Sequence, residues 1–336
     1  MNATDTIQRT MPDETASGSG ETALKGAVTL PVIEVTTRRD WLRTPDGAPR
    51  GYIQAEELAE VWFHTGTICN LACPFCLEGS RPGDDRLGTM TLADVVPFID
   101  EAVDLGVRQF SFTGGEPFVV RDVPAILDYA LERGSCLVLT NGTLPLRRRL
   151  GELDGLLHKP HPLSFRVSLD YPSPERHDAG RGAGTFQMAL ETLGELHRRG
   201  FHVSVARQID AHEDASRLQA QYREHFAGVG IHEPVRIVAF PDLLGPGQTA
   251  DVPLITEDCM TRYHTAESRA AFMCASSRMV VKSNGRMRVY ACTLVDDDED
   301  YDLGDTLAES LKPRIRLKHH RCYACFAFGA SCSELR

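Results

Sequence analysis

The chain has 336 residues, 42% hydrophobic and 25% charged, an ordinary soluble composition with room for one large core or two domains. A net charge of −11 and the lack of any basic stripe exclude nucleic acid as a primary partner, because phosphates need Lys and Arg to neutralise them. No apolar run approaches a membrane span and the start lacks the pattern of a signal peptide, so no membrane association and a cytoplasmic location are expected.

Residues 1–26 are rich in Thr, Ser, Gly and Glu without an aromatic residue, which predicts a disordered segment; residues 27–57 read as an N-terminal extension. Cys69-Asn70-Leu71-Ala72-Cys73-Pro74-Phe75-Cys76 then sets three thiols at C-x3-C-x2-C spacing, with Phe75 just before the last. One loop can aim all three sulfurs to one side, where soft thiolates suit an iron–sulfur cluster. A zinc knuckle would want a fourth Cys or His close by, and none occurs between Glu78 and Phe112.

Thr91–Val107 predicts a helix from apolar Val95, Val96, Ile99, Val103 and Leu105 near a 3.6-residue period. Gln109–Phe112 alternates like a strand and runs into Thr113-Gly114-Gly115-Glu116-Pro117, where two glycines let backbone approach a ligand and the carbonyls and carboxylate can accept from an ammonium. Further strands are predicted at Cys136–Leu139, ending in Thr140-Asn141-Gly142, at Phe165–Asp170, at Val203–Ile209 and at Val235–Phe240. Helical patterns at Val123–Arg133, Phe186–Arg199 and Ser216–Phe226 alternate with them, the βα repeat of a parallel sheet. Arg207 breaks one apolar strand face, as a paired structural cation or a substrate contact, while Gln208 shares the other face with Ser204 and Ala206.

In this order the motifs resemble the radical SAM superfamily over roughly Trp62–Phe240. The resemblance implies an α/β fold, a partial (β/α)6 TIM-like barrel over residues 58–243. It implies a [4Fe-4S] cluster on Cys69, Cys73 and Cys76 whose open iron binds S-adenosyl-L-methionine (SAM), cleaved to a 5′-deoxyadenosyl radical that abstracts a substrate hydrogen. A flavodoxin- or ferredoxin-type donor would supply the electron. By the same resemblance Phe75, Thr113, Gly114, Gly115, Glu116, Asn141, Ser168, Arg181 and Gln208 would surround the cofactor.

Residues 244–258 read as a breaker-rich linker, and cysteines return beyond it. Met279–Tyr290 is strand, Asn-Gly turn and strand, a hairpin that brings Cys274 and Cys292 together. With Cys322 and Cys325 they resemble the small hairpin-plus-helix twitch domain, a reduced SPASM domain, which implies over residues 259–336 one auxiliary [4Fe-4S] cluster, with Cys332 as substitute ligand. Structural zinc is the competing reading of four thiolates. Cys136, in a core strand, reads as a small hydrophobe.

For the reaction, the expectation is oxidation of a secondary alcohol to a ketone on a polar small molecule, an amino-sugar or aminocyclitol of an antibiotic pathway. Arg207 would serve as a polar relay, and the acid run Asp296–Asp300 with Asp302 would attract a cationic substrate. One alternative is a radical epimerase with Cys259 as hydrogen donor. Another is a SPASM-type maturase of a ribosomal peptide, against which stands an N-terminal extension too short for a leader-binding domain.

Overall fold

Six parallel strands follow one another in chain order with helices on the returns, in a computed structural model that describes residues 41–210 and 213–329. After the two-residue β1 (Tyr52–Ile53) they are β2 (Glu60–His64), β3 (Gln109–Thr113), β4 (Ser135–Thr140), β5 (Leu163–Ser168), β6 (His202–Gln208) and β7 (Arg236–Phe240). The returns carry α1 (Leu92–Asp104), α2 (Val123–Ala130), α3 (Leu144–Leu153), the pair α4 (Pro174–Arg181) and α5 (Thr185–Arg199), and α6 (Ala215–Gly228). Every neighbouring pair from β2 to β7 is parallel, so six C-terminal strand ends form one rim. This is the expected partial (β/α)6 barrel, and its rim is where such folds gather functional side chains. The segment expected to be disordered, residues 1–26, and Cys332 lie outside the described residues.

Local chemistry explains the elements. Thr91 caps α1 in a reciprocal capping box with Asp94, and Val95, Phe98, Ile99 and Ala102 form its buried stripe. Val103, counted on that face from the sequence, sits at the stripe's edge and is 42% exposed. Phe63 stacks on Phe112 between adjacent strands, and the layer between sheet and helices is a single apolar core.

Beyond the barrel, α7 (Glu257–Arg262), α8 (Ala266–Ala270) and α9 (Met273–Ser276) lead into the hairpin of β8 (Ser277–Ser283) and β9 (Arg286–Tyr290). Asn284 and Gly285 both have positive φ, as the tight Asn-Gly turn requires. The hairpin does not stand apart. β8 pairs in parallel with β2, so the sheet runs β7-β6-β5-β4-β3-β2-β8-β9 and β9 alone is antiparallel. Leu307 of α10 (Leu307–Ser310) joins the barrel core, while β10 (Ile315–Arg316), which pairs with β1, and α11 (Cys322–Phe328) complete a second apolar cluster around Trp62 and Met279.

Candidate active site

One cavity opens at the barrel rim. Cys69, Cys73 and Cys76 line it together with Phe75, Thr113, Gly114, Gly115, Asn141, Ser168, Arg181, Arg207 and Gln208. Burial pushes the three thiols up, Cys69 to about 11, and Cys73 and Cys76 raise Cys69 further. Three sulfurs that share one shielded spot and resist ionising on their own are a donor set for a metal cluster with one position left open.

Close backbone packing aims that loop. A Cβ on Gly115 would lie 2.3 Å from the Ile68 carbonyl oxygen and one on Gly114 2.7 Å from that of Gly66, so both glycines let the end of β3 lie against the start of the cysteine loop. Glu116 is a correction to the expected cofactor set. It is fully buried behind the cavity wall, where its carboxylate accepts from Thr140 Oγ1 (2.9 Å), Asn141 N (2.8 Å) and Phe118 N (3.1 Å). Its role is to fix the end of β4. From there Asn141 accepts from Thr143 and donates to Asn70 Oδ1 (3.0 Å), while Asn70 donates to Thr143 Oγ1 (2.9 Å). A side-chain network thus ties β4 to the residue after Cys69.

Across the cavity Arg181 makes a two-point pair with buried Asp170 (2.5 and 2.9 Å) and lies 5.6 Å over the Phe75 ring. Gly180 admits that ring, since a Cβ there would meet Phe75 at 2.4 Å. Arg207 is on the wall but grips Glu213 at 2.6 and 2.7 Å. A guanidinium so held is a fixed cation with no free lone pair to take up a proton, which corrects its expected part as a relay.

The second set of thiols also converges. Cys274, Cys292, Cys322 and Cys325 line a small cavity with Leu294, Tyr301 and Arg321. Burial pushes Cys322 up to about 12 and Cys274 well up, and the other three sulfurs raise Cys274 further. Four thiols around one small cavity in an apolar shell, Cys274 and Cys325 of them buried, suit a cysteine-ligated metal centre. Leu294 lines both cavities. Cys259 lines neither. At the start of α7 its sulfur lies 3.2 Å from Thr256 Oγ1, which corrects its expected place as a donor beside the substrate.

The acid run is likewise structural. Asp296 pairs with Arg86 (2.8 Å), Asp298 and Asp300 with Lys318 (3.0 and 2.5 Å), and Asp302 with Arg288 (2.9 Å), while Asp297 faces His319 and Arg321 at 3.5 Å. Only Glu299 of the run is exposed, so the carboxylates expected to attract a cation are already matched. Buried His64, Glu78 and Asp296 come together beneath the cysteine loop, and Arg86 touches both carboxylates, taking the place a metal cation would need.

Arg321 was not singled out by the sequence. Fully buried, it donates to the carbonyls of Leu77 (3.0 Å), Leu243 (2.9 Å), Leu244 (2.8 Å) and Leu294 (2.9 Å). It thereby clamps the first cysteine loop, the barrel exit and the segment after Cys292 around one side chain. Asn70, Asp170 and Gly180 adjoin recognisable motifs and could have been found from them; Arg321 carried no comparable signal.

Residues 63–212 match the family model described as the Radical SAM superfamily. This part of the chain belongs to the radical SAM superfamily. Among curated relatives, the antilisterial bacteriocin subtilosin biosynthesis protein AlbA of Bacillus subtilis is 35% identical over 143 residues, 42% of this chain and 31% of that protein. Mycofactocin maturase MftC of Mycolicibacterium smegmatis is 35% identical over 162 residues, 46% of this chain and 40% of its own. The chain thus spans well under half the length of these relatives. Of solved structures, Streptococcus suis SuiB bound to S-adenosylmethionine aligns with a TM-score of 0.54 at 14% identity, covering 74% of this chain and 63% of that one. The structure of anSMEcpe with bound AdoMet aligns with a TM-score of 0.54 at 15% identity, covering 76% of this chain and 78% of that one. These likenesses concern the fold. The family uses a [4Fe-4S] cluster and SAM, and the thiols at the rim fit that cofactor pair. Among the described residues no helix is long and apolar enough to cross a membrane.

Proposed function

We propose that this radical SAM enzyme removes two electrons and two protons from a side chain of a peptide, with the second thiol set holding an auxiliary cluster. The observation that carries the reading is the adjacency of two thiol-lined cavities, one at the barrel rim and one behind it, sharing Leu294 as a common wall. When bound, the cluster and SAM supply hydrogen-atom abstraction from an unactivated C–H bond.

The chain's own residues do the rest. Asn141, Ser168 and Arg181 line the cofactor side, and Asp170 holds Arg181 in place. The same cavity is also lined by apolar Leu77, Leu139, Phe240, Pro241, Leu243 and Leu294, which suit an aliphatic or aromatic side chain better than a polyhydroxylated ring. Oxidation must release a proton. Of the carboxylates on the wall, Asp170 and Glu78 are paired with cations, whereas Asp242 accepts only from Leu244 N (3.0 Å) and has no cationic partner among the described residues. Asp242 is the acceptor this reading assigns. The names of AlbA and MftC, a bacteriocin biosynthesis protein and a maturase, agree with a peptide substrate, as does the SuiB structure bound to precursor peptide SuiA. The alcohol-oxidising reading loses the acid run as its attraction for an amino-sugar, and the epimerase loses Cys259.

The test is anaerobic reconstitution with iron and sulfide, then SAM and a reductant, with peptides or aminocyclitols offered. Expected is 5′-deoxyadenosine formed in step with loss of two hydrogens from a peptide. Turnover of an aminocyclitol to a ketone with no peptide modified would overturn the reading.

A further inference from the structure

We propose that Arg278 is a built-in counter-cation for the cluster site of Cys274, Cys292, Cys322 and Cys325, and that its charge raises the reduction potential of the cluster held there. The inference rests on the reading of these four thiols as the auxiliary iron–sulfur site.

Arg278 is the second residue of β8, and its side chain is completely buried. Its Nη1 donates to the carbonyls of Cys274 (2.8 Å) and Ser277 (2.7 Å), and Nε and Nη2 both donate to that of Ser310 (3.2 and 3.1 Å). These carbonyls belong to or directly follow the short helices α9 and α10, where the last turn leaves carbonyls without donors. The guanidinium therefore has neutral acceptors. No carboxylate lies within ion-pair reach of it among the described residues, unlike Arg321, which has Asp297 at 3.5 Å.

A buried permanent cation without an anion is strongly disfavoured, and mature folds supply a partner. Burial works against that charge, and what would favour it is ionisation of Cys274, whose carbonyl Nη1 already holds at 2.8 Å, and of Cys292. As thiols they offer little. As ligands of a metal cluster they carry the negative charge that the guanidinium lacks. A four-iron cluster bound by four thiolates is anionic in both redox states and more so when reduced, so a fixed cation beside it favours the reduced form. The cation and the first ligand are also mechanically linked, since Nη1 holds the Cys274 carbonyl. Charge and hydrogen bonding are separable by substitution.

The experiment uses the full chain with Cys69, Cys73 and Cys76 replaced by Ala, so that iron binds only at the second set. After reconstitution with iron and sulfide, the potential is read by electron paramagnetic resonance during titration with dithionite, one electron entering the cluster. R278Q is expected to weaken electron uptake about tenfold, a fall of about 59 mV for a one-electron couple. R278K, which keeps the charge, should shift it by less than half as much. Should R278Q not fold, R278M supplies the neutral side chain for the same comparison. Equal potentials in all variants, or an equal fall with Lys and with the neutral side chain, would overturn the inference while leaving the cluster in place. Failure of the Arg278 parent to bind iron and sulfide would remove the cluster reading and the inference together.

Discussion

Replacing Arg321 with Met tests whether the two thiol sites are held in register by one buried side chain. The substitution strips donors from four buried carbonyls at 2.8 to 3.0 Å, those of Leu77, Leu243, Leu244 and Leu294. A buried acceptor left unsatisfied costs about 1–3 kcal/mol, and since the Leu243 carbonyl keeps His320 Nε2 at 3.2 Å, the other three set an upper range near 3–9 kcal/mol. Relaxation and entering water reduce this, and Asp297 loses a cation at 3.5 Å, so about 3–5 kcal/mol is expected overall. That is a large fraction of the 5–15 kcal/mol typical of a folded domain. Arg321→Lys retains the charge but cannot span carbonyls from three segments, and should fall between. Urea unfolding followed by far-UV circular dichroism under anaerobic conditions measures the loss, with the slope checked for constancy. Because Leu77 adjoins Cys76 and Leu294 lies two residues after Cys292, both sets of iron should also leave faster during gel filtration. A Met variant destabilised by less than about 1 kcal/mol, with both sets of iron retained, would refute the clamp.

Burial holds the Glu116 carboxyl at about 7, above its ordinary 4.5. The native chain therefore binds that proton more tightly than the unfolded chain, and the contribution to stability, about 3 kcal/mol, is full below about pH 4.5 and lost as pH rises through about 7. Glu116→Gln should flatten that part of the pH–stability curve, and an unchanged slope in denaturant midpoints would count against it. Gly180→Ala drives a methyl into Phe75, with a 2.4 Å approach to relieve, and should cost about 1–3 kcal/mol while weakening SAM binding in equilibrium dialysis; unaltered affinity would show that the ring does not shape the cofactor side. Metal analysis should find about eight irons per reconstituted chain, falling by about half when either Cys69, Cys73 and Cys76 or Cys274, Cys292, Cys322 and Cys325 are replaced. About four irons with one zinc would instead make the second set structural zinc.

Much of the barrel was legible because its signals are local. Alternation or a short apolar run marked β3 to β7, the Asn284-Gly285 turn marked the hairpin, and cysteine spacing marked both thiol sets. What escaped was long-range. Nothing in the run Asp296–Asp300 says that Arg86, Lys318 and His319 will meet it, and an isolated acid run looks the same whether it faces solvent or buried cations. Glu116 was read as a ligand because it follows two glycines, yet the backbone turn directs its carboxylate to Asn141 N. The union of β8 with β2 was equally hidden, since alternation announces a strand without naming its neighbour.

That union bears on how the chain is made. β2 is flanked by β3 on one side and by β8 on the other, with Glu60 opposite Ser277. During synthesis at about 5–20 residues per second, the second flank of β2 stays open for roughly 10–40 s while the intervening barrel emerges. A strand of fully buried residues waiting that long is a sticky edge on the ribosome, open to pairing with a neighbouring nascent chain. Yield on overexpression should accordingly respond to translation speed and to chaperones, even where the finished fold is stable.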